Sequence, residues 1–347
     1  MFKPLEPYPR RPPLPFRMSR ARKAGALFFI LVLLVYAGLA RVMFDTPAME
    51  KSGGVVSLSF VWSMPLAVGA LSAAIGRWCG TDGWVRCSVG IPSAVLGLGF
   101  VISLVTKVEA AMCVVMAAPI MLLATALGGG LAHLFLPKNR NDYRLQMTLM
   151  VFLPYLTAVV EGSLHWPTET KNIEDTIVIH ASPEVIWQEI ASVPAIDPEQ
   201  ISEKWIYWVG FPKPIAATLD REGVGGIRTA TFERDVSFFE TVTVWDKPAK
   251  LAFSIHADPD FIPHTAFDQH IIVGGRFYDV LDGTYEIEPL PGGNCRLHLT
   301  SRHRLSTRFN SYAGWWSEKV MNQIQGSILE VIRSRAEAYA GTVSAPQ

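Results

Sequence analysis

Five apolar segments occupy the first half of the chain and decide what this half can fold into. They cover residues 24–44, 53–76, 88–106, 110–136 and 145–164. A hydrocarbon core about 30 Å thick is crossed by about 20 apolar residues in a helix. A helix also satisfies its own backbone hydrogen bonds, as a lipid environment requires. The sequence therefore predicts an all-α transmembrane bundle of about five spans at 24–165, preceded by a Pro-rich basic tail at 1–23.

Lysine and arginine residues predict the orientation of these spans, because they accumulate in cytoplasmic loops. With the N-terminus in the cytoplasm, the tail and the loops after the second and fourth spans carry the basic excess, at Arg10, Arg11, Arg17, Arg20, Arg22, Lys23, Arg77, Arg86, Lys138, Arg140 and Arg144. The outer side receives Arg41, Lys51, Lys107 and Lys171. Five crossings then place the C-terminal half outside, which for a bacterial inner membrane means the periplasm.

The fifth predicted span decides in which compartment the C-terminal half lies, and its apolar pattern is the weakest of the five. Pro154 lies in its middle and Glu161 near its end. Without this span, the C-terminal half would be cytoplasmic. The span interiors hold almost no other ionisable side chain, which favours anchoring over a transport path. Each of the last four spans carries one proline, and the glycines at 128–130 are expected to loosen the fourth.

Residues 165–347 have the composition of an ordinary globular chain. Strand-like pieces separated by turn residues occur at 175–180, 216–221, 226–234, 237–245, 251–257, 276–288 and 295–306, which is typical of an antiparallel meander. Ser182 and Pro183 predict the start of a short helix after the first strand. A long helix is predicted at about 312–339, where apolar residues recur at three- and four-residue steps. The predicted class of this half is α+β.

This order of elements resembles the START-like helix-grip superfamily (SRPBCC), which includes polyketide cyclases and lipid-transfer domains. The opening motif that carries the resemblance is Ile177-Val178-Ile179-His180-Ala181-Ser182-Pro183-Glu184-Val185-Ile186-Trp187, and the closing helix is similar as well. The resemblance covers about 174–341. It implies an antiparallel sheet wrapped on the long helix, with a cavity for an apolar ligand. It does not imply one activity, since function depends on the site.

Alternation along the strands predicts which side chains face this cavity. The candidates are Phe238, Glu240, Phe277, Asp279, Tyr285 and His303 on strands, with Trp316, Val320 and Ile324 on the closing helix. Glu240, Asp279 and His303 are polar interruptions of apolar faces and are candidate ligand anchors. Asp279 and His303 could instead pair with each other, and a bulge would turn such side chains to solvent. No catalytic residue is assigned.

Other polar groups have two interpretations each. His256, Asp258, Asp260, His264, Asp268 and His270 crowd one segment, but they lack a metal-site spacing, so a solvated loop or lid is favoured and no metal is expected. Arg302, Arg304 and Arg308 suit either an anionic headgroup or a solvated strand edge. The aromatic residues at 205–211 suit either the core or the bilayer surface.

Three hypotheses arise from these patterns. The first is membrane-anchored binding of a lipid or another hydrophobic small molecule. The second is a cyclase- or dehydratase-type enzyme that uses His303, Asp279 or Glu240 as acid and base. The third is a non-catalytic membrane scaffold whose cavity is filled by its own side chains. The chain shows no cofactor motif, and without an extended basic stretch it is not expected to bind nucleic acid.

Overall fold

The computed structural model describes residues 20–78, 84–135, 144–257 and 273–344. Most of the predicted N-terminal tail lies outside these residues. Two parts follow one another in the chain. We call residues 20–162 the helical half and residues 169–344 the sheet half, because the described residues of the first form only helices and turns.

The helical half contains five helices that are long and apolar enough to cross a membrane, as the sequence predicts. Their α-helical parts are α1 (Arg20–Phe44), α2 (Met64–Trp78), α3 (Ile91–Val105), α4 (Ala111–Phe135) and α5 (Arg144–Gly162), and π-helical turns before α2 and α3 extend these two to spanning length. The second apolar stretch begins at Ser59 rather than at 53, because residues 47–56 form short 3₁₀ turns. This stretch is also the central one, since 72% of it is buried against 17–28% of the other four.

Two of the predicted helix prolines follow turns of π-helix. The segments Ser59–Ser63 and Arg86–Gly90 lie directly before α2 and α3, and Pro65 and Pro92 are each the second residue of the helix that follows. Proline lacks the N–H group and its ring collides with the carbonyl of the preceding turn. A wider turn at this place removes the collision and lets the helix continue.

Glycines hold α2 and α4 together rather than loosening α4, which corrects the sequence-based expectation. A Cβ atom on Gly128 would overlap the backbone carbonyl of Leu66, and one on Gly129 would overlap the backbone of Ser88. On the facing helix, Gly69 lies equally close to Thr125. Small residues let helix backbones approach each other in a membrane, where dispersion contacts drive association.

The sheet half is built from a seven-stranded antiparallel sheet in the order β1-β7-β6-β5-β4-β3-β2. Its strands are β1 (Glu169–Ile179), β2 (Pro214–Leu219), β3 (Ile227–Phe232), β4 (Val236–Asp246), β5 (Lys250–His256), β6 (Tyr278–Pro289) and β7 (Cys295–Leu305). Helices α6 (Pro183–Ala191) and α7 (Trp205–Trp208) connect β1 to β2, and α8 (Asn310–Ser344) follows the sheet. The predicted α+β arrangement is confirmed.

The first strand begins six residues before its predicted start at 175. Residues 169–174 are mostly polar and exposed, so their sequence lacks the alternation of a half-buried strand. Their backbone is nevertheless ordered by β7, since Glu169 pairs with Leu305 and the ladder continues to Ile179 opposite Cys295. The length of the partner strand, rather than local preference, determines this boundary.

One hydrophobic core joins the sheet to α6 and α8. Trp187 of α6, Leu251 of β5 and Leu297 of β7 are at most 1% exposed and belong to the same cluster as Leu329 of α8. Burying such a side chain contributes about 1.5–3 kcal/mol. This core fills one end of the space between sheet and helix, and a cavity occupies the other end.

Arg308 joins the two halves through buried polar contacts. Its guanidinium donates hydrogen bonds to the backbone carbonyls of Glu161, Leu164 and His165 at the end of α5, at 2.6–2.9 Å. Its Nε lies 3.4 Å from the Glu161 carboxylate. That carboxylate accepts 2.8 Å hydrogen bonds from the N–H groups of Leu58 and Ser59, which start the second apolar stretch. Glu161 therefore caps a helix start and pairs with the sheet half.

The glycine contact between α2 and α4 generates the first prediction. Gly128→Ala should destabilise the protein by about 2 kcal/mol, because the added methyl group forces two backbones apart. Gly130→Ala is the matched control, since a Cβ atom there meets nothing within 4 Å. Thermal unfolding of both variants in detergent measures the difference, and equal midpoints would contradict the packing role of Gly128.

Candidate functional site

A cavity of about 760 Å³ lies between the sheet and α8 and extends into the helical half. In the sheet half its wall is mostly apolar, with Phe253, Leu299 and Ile328 among the side chains that line it. In the helical half it is lined by residues of α1, α3 and α4. Pockets of this size and character hold small molecules of which most of the surface is apolar.

A buried ion pair forms the principal polar feature of the cavity wall. Arg228 on β3 and Glu240 on β4 are direct cross-strand partners, and their side chains form a short salt bridge. They are 5% and 7% exposed, and both line the cavity together with Tyr285. Arg228 also lies over the ring of Phe253, 5.5 Å from its centre. Its Nε has no hydrogen-bond partner among the described residues.

The two charges of this pair stabilise one another. Burial is the largest single influence and acts to lower the pKa of Arg228, but Glu240 and Tyr285 together outweigh it and the pKa is raised. Burial raises the pKa of Glu240, against the lowering influence of Arg228. Arg228 therefore stays charged. An isolated buried charge would be costly, so each side chain depends on the other to remain in this wall.

Seven of the nine predicted cavity residues line the cavity in the structure. They are Phe238, Glu240, Phe277, Tyr285, Trp316, Val320 and Ile324. Asp279 and His303 are not among the lining residues. The structure therefore brings one of the three predicted polar anchors, Glu240, to the cavity surface.

A β-bulge explains the position of Asp279. The register between β6 and β7 shifts between Val280 and Asp282, so that one extra residue interrupts the alternation. Before the bulge Tyr278 and Val280 face the cavity, and after it Gly283 and Tyr285 do. The prediction placed Asp279 on the same face as Tyr285, but within β6 the odd-numbered residues face the cavity only after the bulge. Asp279 lies on the opposite face, and the expectation that it faces the cavity is corrected.

His303 lies on the predicted face of β7 but behind the cavity wall. It is fully buried, and its Nε2 is 2.8 Å from the hydroxyl oxygen of Ser317 on α8. Its partner is thus Ser317 and not Asp279. Burial lowers the pKa of His303 to about 4, with a smaller contribution from Lys171. Burial also raises the pKa of the neighbouring Tyr278 to about 12. His303 and Tyr278 are therefore both uncharged near pH 7.

The three arginines near the end of β7 have internal partners. Arg302 pairs with Asp282 on β6, Arg304 donates to the carbonyls of Gly275 and Arg276, and Arg308 binds the end of α5. Strand pairing and the contact between the halves explain their positions without a headgroup.

The aromatic segment at 205–211 divides between core and surface. Tyr207 donates a 2.7 Å hydrogen bond to Ser327, and Phe211 lines the cavity, whereas Trp208 is 78% exposed. In the acidic and histidine-rich segment, Asp258, Asp260, His264, Asp268 and His270 lie outside the described residues. Within the part of the chain that the structure describes, no cluster of three or more His, Cys, Asp or Glu could hold a metal ion.

Sequence reasoning missed several polar residues of the cavity. Arg228 is one of them. The pairing of β3 with β4 places it directly opposite Glu240, and this pairing would have identified it as a cavity residue. Gln325 is another: it is 2% exposed, donates to Ser301 at 2.7 Å, and leaves its Oε1 without a partner among the described residues. Its position among the apolar residues of α8 marked it as an inward-facing amide.

A comparison of the sequence with protein-family models found no match, and a comparison with curated proteins found none. Several solved structures are similar to about half of this chain. Zhui aromatase/cyclase from Streptomyces sp. R1128 is 16% identical, with 51% of this chain and 100% of that chain covered and a TM-score of 0.33. A START superfamily protein from Mycobacterium smegmatis is 11% identical, with coverages of 48% and 98% and a TM-score of 0.32.

Norcoclaurine synthase from Thalictrum flavum is 15% identical, with 48% of this chain and 86% of that chain covered and a TM-score of 0.30. At these identities and TM-scores the likenesses say nothing about activity. The function of this chain therefore has to be inferred from its own cavity and from the side chains that line it.

The buried His303 generates a prediction on acid stability. Its pKa in the folded chain, about 4, lies below its usual value of 6.5. Between these pH values the unfolded chain binds a proton that the folded chain does not. The contribution of His303 is therefore complete above pH 6.5 and is lost as the pH falls to 4, by roughly 1–3 kcal/mol with allowance for solvent screening.

His303→Gln should flatten this loss when unfolding midpoints are measured from pH 7 to pH 4. His298→Gln is the control, because Glu174 raises the pKa of His298 by accepting a hydrogen bond from its ring. A group with a raised pKa loses its contribution as the pH rises, so this control keeps the acid loss. An unchanged acid loss in His303→Gln would show that His303 titrates normally.

Proposed function

We propose that this is an integral membrane protein that binds a lipid or another hydrophobic small molecule in the cavity of the sheet half. The observation that carries this proposal is the open, mostly apolar cavity of about 760 Å³ between sheet and α8, which continues to the ends of apolar helices. Burial of apolar ligand surface drives binding at about 25 cal/mol per Å², before the costs of association.

The arrangement of the helix ends supports a membrane location with the sheet half on one side. The sheet half contacts the end of α5 through Arg308 and a carbonyl near the start of α4 through the Tyr312 hydroxyl. Five crossings put the N-terminus on the opposite side, and the basic loops favour the cytoplasm for it. The proposed location is a bacterial inner membrane, with 24–165 as the membrane domain and 174–341 as a periplasmic domain.

Anchoring fits this helical half better than transport. The ionisable side chain near the end of α5, Glu161, is occupied by helix-start N–H groups and by Arg308. A proton or ion path would need such groups exposed to a water-filled route. The role that remains for the helices is to hold the cavity at the bilayer, where apolar ligands are concentrated.

A direct test measures the lipid content of the full-length protein. Val320→Trp adds a large side chain to the cavity wall, whereas Lys319→Trp adds the same side chain at an exposed position of α8. Organic extracts of equally purified proteins are compared by mass spectrometry. We expect wild type and Lys319→Trp to retain one lipid species per protein that Val320→Trp lacks. Identical extracts from all three proteins would contradict ligand binding in the cavity.

An enzyme that uses Glu240 for proton transfer is the second candidate. The observation in its favour is that a buried carboxylate with a raised pKa lines the cavity beside Tyr285, an environment that suits a general acid. Such an enzyme would lose turnover in Glu240→Gln. A scaffold with a filled core is disfavoured, since the cavity is open.

The ion pair generates a prediction about the stability of the fold. Arg228→Met leaves the Glu240 carboxylate buried without its partner and should cost about 3–5 kcal/mol of stability. The double variant Arg228→Met/Glu240→Leu removes both charges and should be as stable as the wild type or more stable. Chemical unfolding of the three proteins in detergent measures this. If the double variant unfolds as easily as the single variant, the pair is needed by the fold itself.

A further inference from the structure

The cavity continues into a groove of the helical half that is open toward the surrounding lipid. We call this the helical groove; its walls include Leu34 and Gly38 of α1, Leu96 and Gly99 of α3, and Met121 of α4. Val42 and Ile102 also line it and are 66% and 44% exposed, so the groove is accessible from the side of the helices. Lipid chains surround this surface in a membrane.

Glycines keep the helical groove open. A Cβ atom on Gly38 or Gly99 would meet no atom within 4 Å, which means that empty space lies beside both residues. This distinguishes them from Gly69, Gly128 and Gly129, where backbones touch. Gly38 and Gly99 therefore widen the helical groove and do not serve a close contact between helices.

A pair of charged side chains lies where the helical groove meets the sheet half. Arg41 at the end of α1 and Glu109 before α4 form a salt bridge, and both line the cavity. Side chains of this kind are favoured at the membrane surface, where charges reach water. Phe309 packs against the cluster of Val61, Leu96 and Met121 in the helical half, so the start of α8 lies directly over the groove.

Unpartnered polar atoms at the inner end of the cavity indicate the ligand chemistry. Arg228 Nε is a donor and Gln325 Oε1 an acceptor, and both lack partners among the described residues although the two residues are only 5% and 2% exposed. Because Glu240 already neutralises Arg228, the described residues at this end of the cavity offer no spare positive charge for a phosphate or carboxylate. A hydroxyl group, which both donates and accepts, suits this wall.

We propose that the ligand is a neutral, hydroxyl-bearing lipid with a long hydrocarbon tail, loaded sideways from the bilayer through the helical groove. The tail lies between α1 and α3, and the hydroxyl group lies in the sheet half near Arg228 or Gln325. This inference rests on the proposed function and adds the ligand class and the route. No transfer through water is needed, because the tail stays in an apolar environment throughout.

The test uses the full-length protein in phosphatidylcholine vesicles that contain a long-chain alcohol with a photoactivatable diazirine in its tail. Gly99→Leu fills the groove, and Gly97→Leu is its matched control. Both glycines lie on α3 and have nothing within 4 Å of an added Cβ atom, but Gly97 does not line the cavity. The readout is the rate at which peptides of α8 become labelled, measured by mass spectrometry after timed illumination.

We expect wild type and Gly97→Leu to be labelled at the same rate and Gly99→Leu about tenfold more slowly, as for a blocked step with a barrier about 1.4 kcal/mol higher. The matched diazirine fatty acid should label α8 more weakly than the alcohol in the wild type. If Gly99→Leu does not fold, Gly38→Leu on the opposite wall replaces it.

Two outcomes would overturn the inference in different ways. Equal labelling rates in wild type and the groove variant would refute the sideways route and leave ligand binding intact. Stronger labelling by the fatty acid would refute the neutral headgroup. An α8 that stays unlabelled in the wild type would instead refute the proposed function, together with the route that depends on it.

Discussion

The contact between Arg308 and the end of α5 determines how the sheet half is placed on the helical half. The guanidinium is held by three backbone carbonyls and faces the Glu161 carboxylate, which in turn caps the start of the second apolar stretch. Charges in such a place persist only when they are paired. Because α8 begins two residues later, at Asn310, the same contact directs its first turns, and with them one wall of the cavity, over the ends of α1, α3 and α4.

A second buried pair determines the chemistry inside the cavity. Arg228 and Glu240 cancel each other's charge while leaving a donor, Arg228 Nε, without a partner among the described residues. The wall is therefore polar but close to neutral. This favours an uncharged amphiphile over an anionic headgroup. The two hypotheses assign different roles to the Glu240 carboxylate. In the enzyme hypothesis it transfers a proton, whereas in the binding hypothesis it holds the Arg228 guanidinium in the wall.

Much of the architecture can be predicted from local patterns in the sequence. Apolar length predicts the five helices, and alternation with turn residues predicts every strand, because each of these signals is carried by adjacent residues. The errors arise from contacts that are distant in sequence. Residues 169–174 are ordered by their pairing with β7, the bulge in β6 turns Asp279 away from the cavity, and Gly128 serves a neighbouring helix. Arg228 was missed for the same reason, since its role depends on its cross-strand partner Glu240, whereas the apolar pattern of α8 did mark Gln325 as inward-facing.

The proposed function requires an occupied cavity in the sheet half, and the proposed route requires that this space runs on without interruption into the helical groove. A cryo-electron microscopy map of the full-length protein in lipid nanodiscs would show whether this is so. We predict elongated density that begins between α1 and α3, passes Phe309 and Trp316, and ends near the Arg228–Glu240 pair. A map in which side chains fill the cavity would contradict both proposals, and one in which the sheet half is detached from the helix ends would contradict the route.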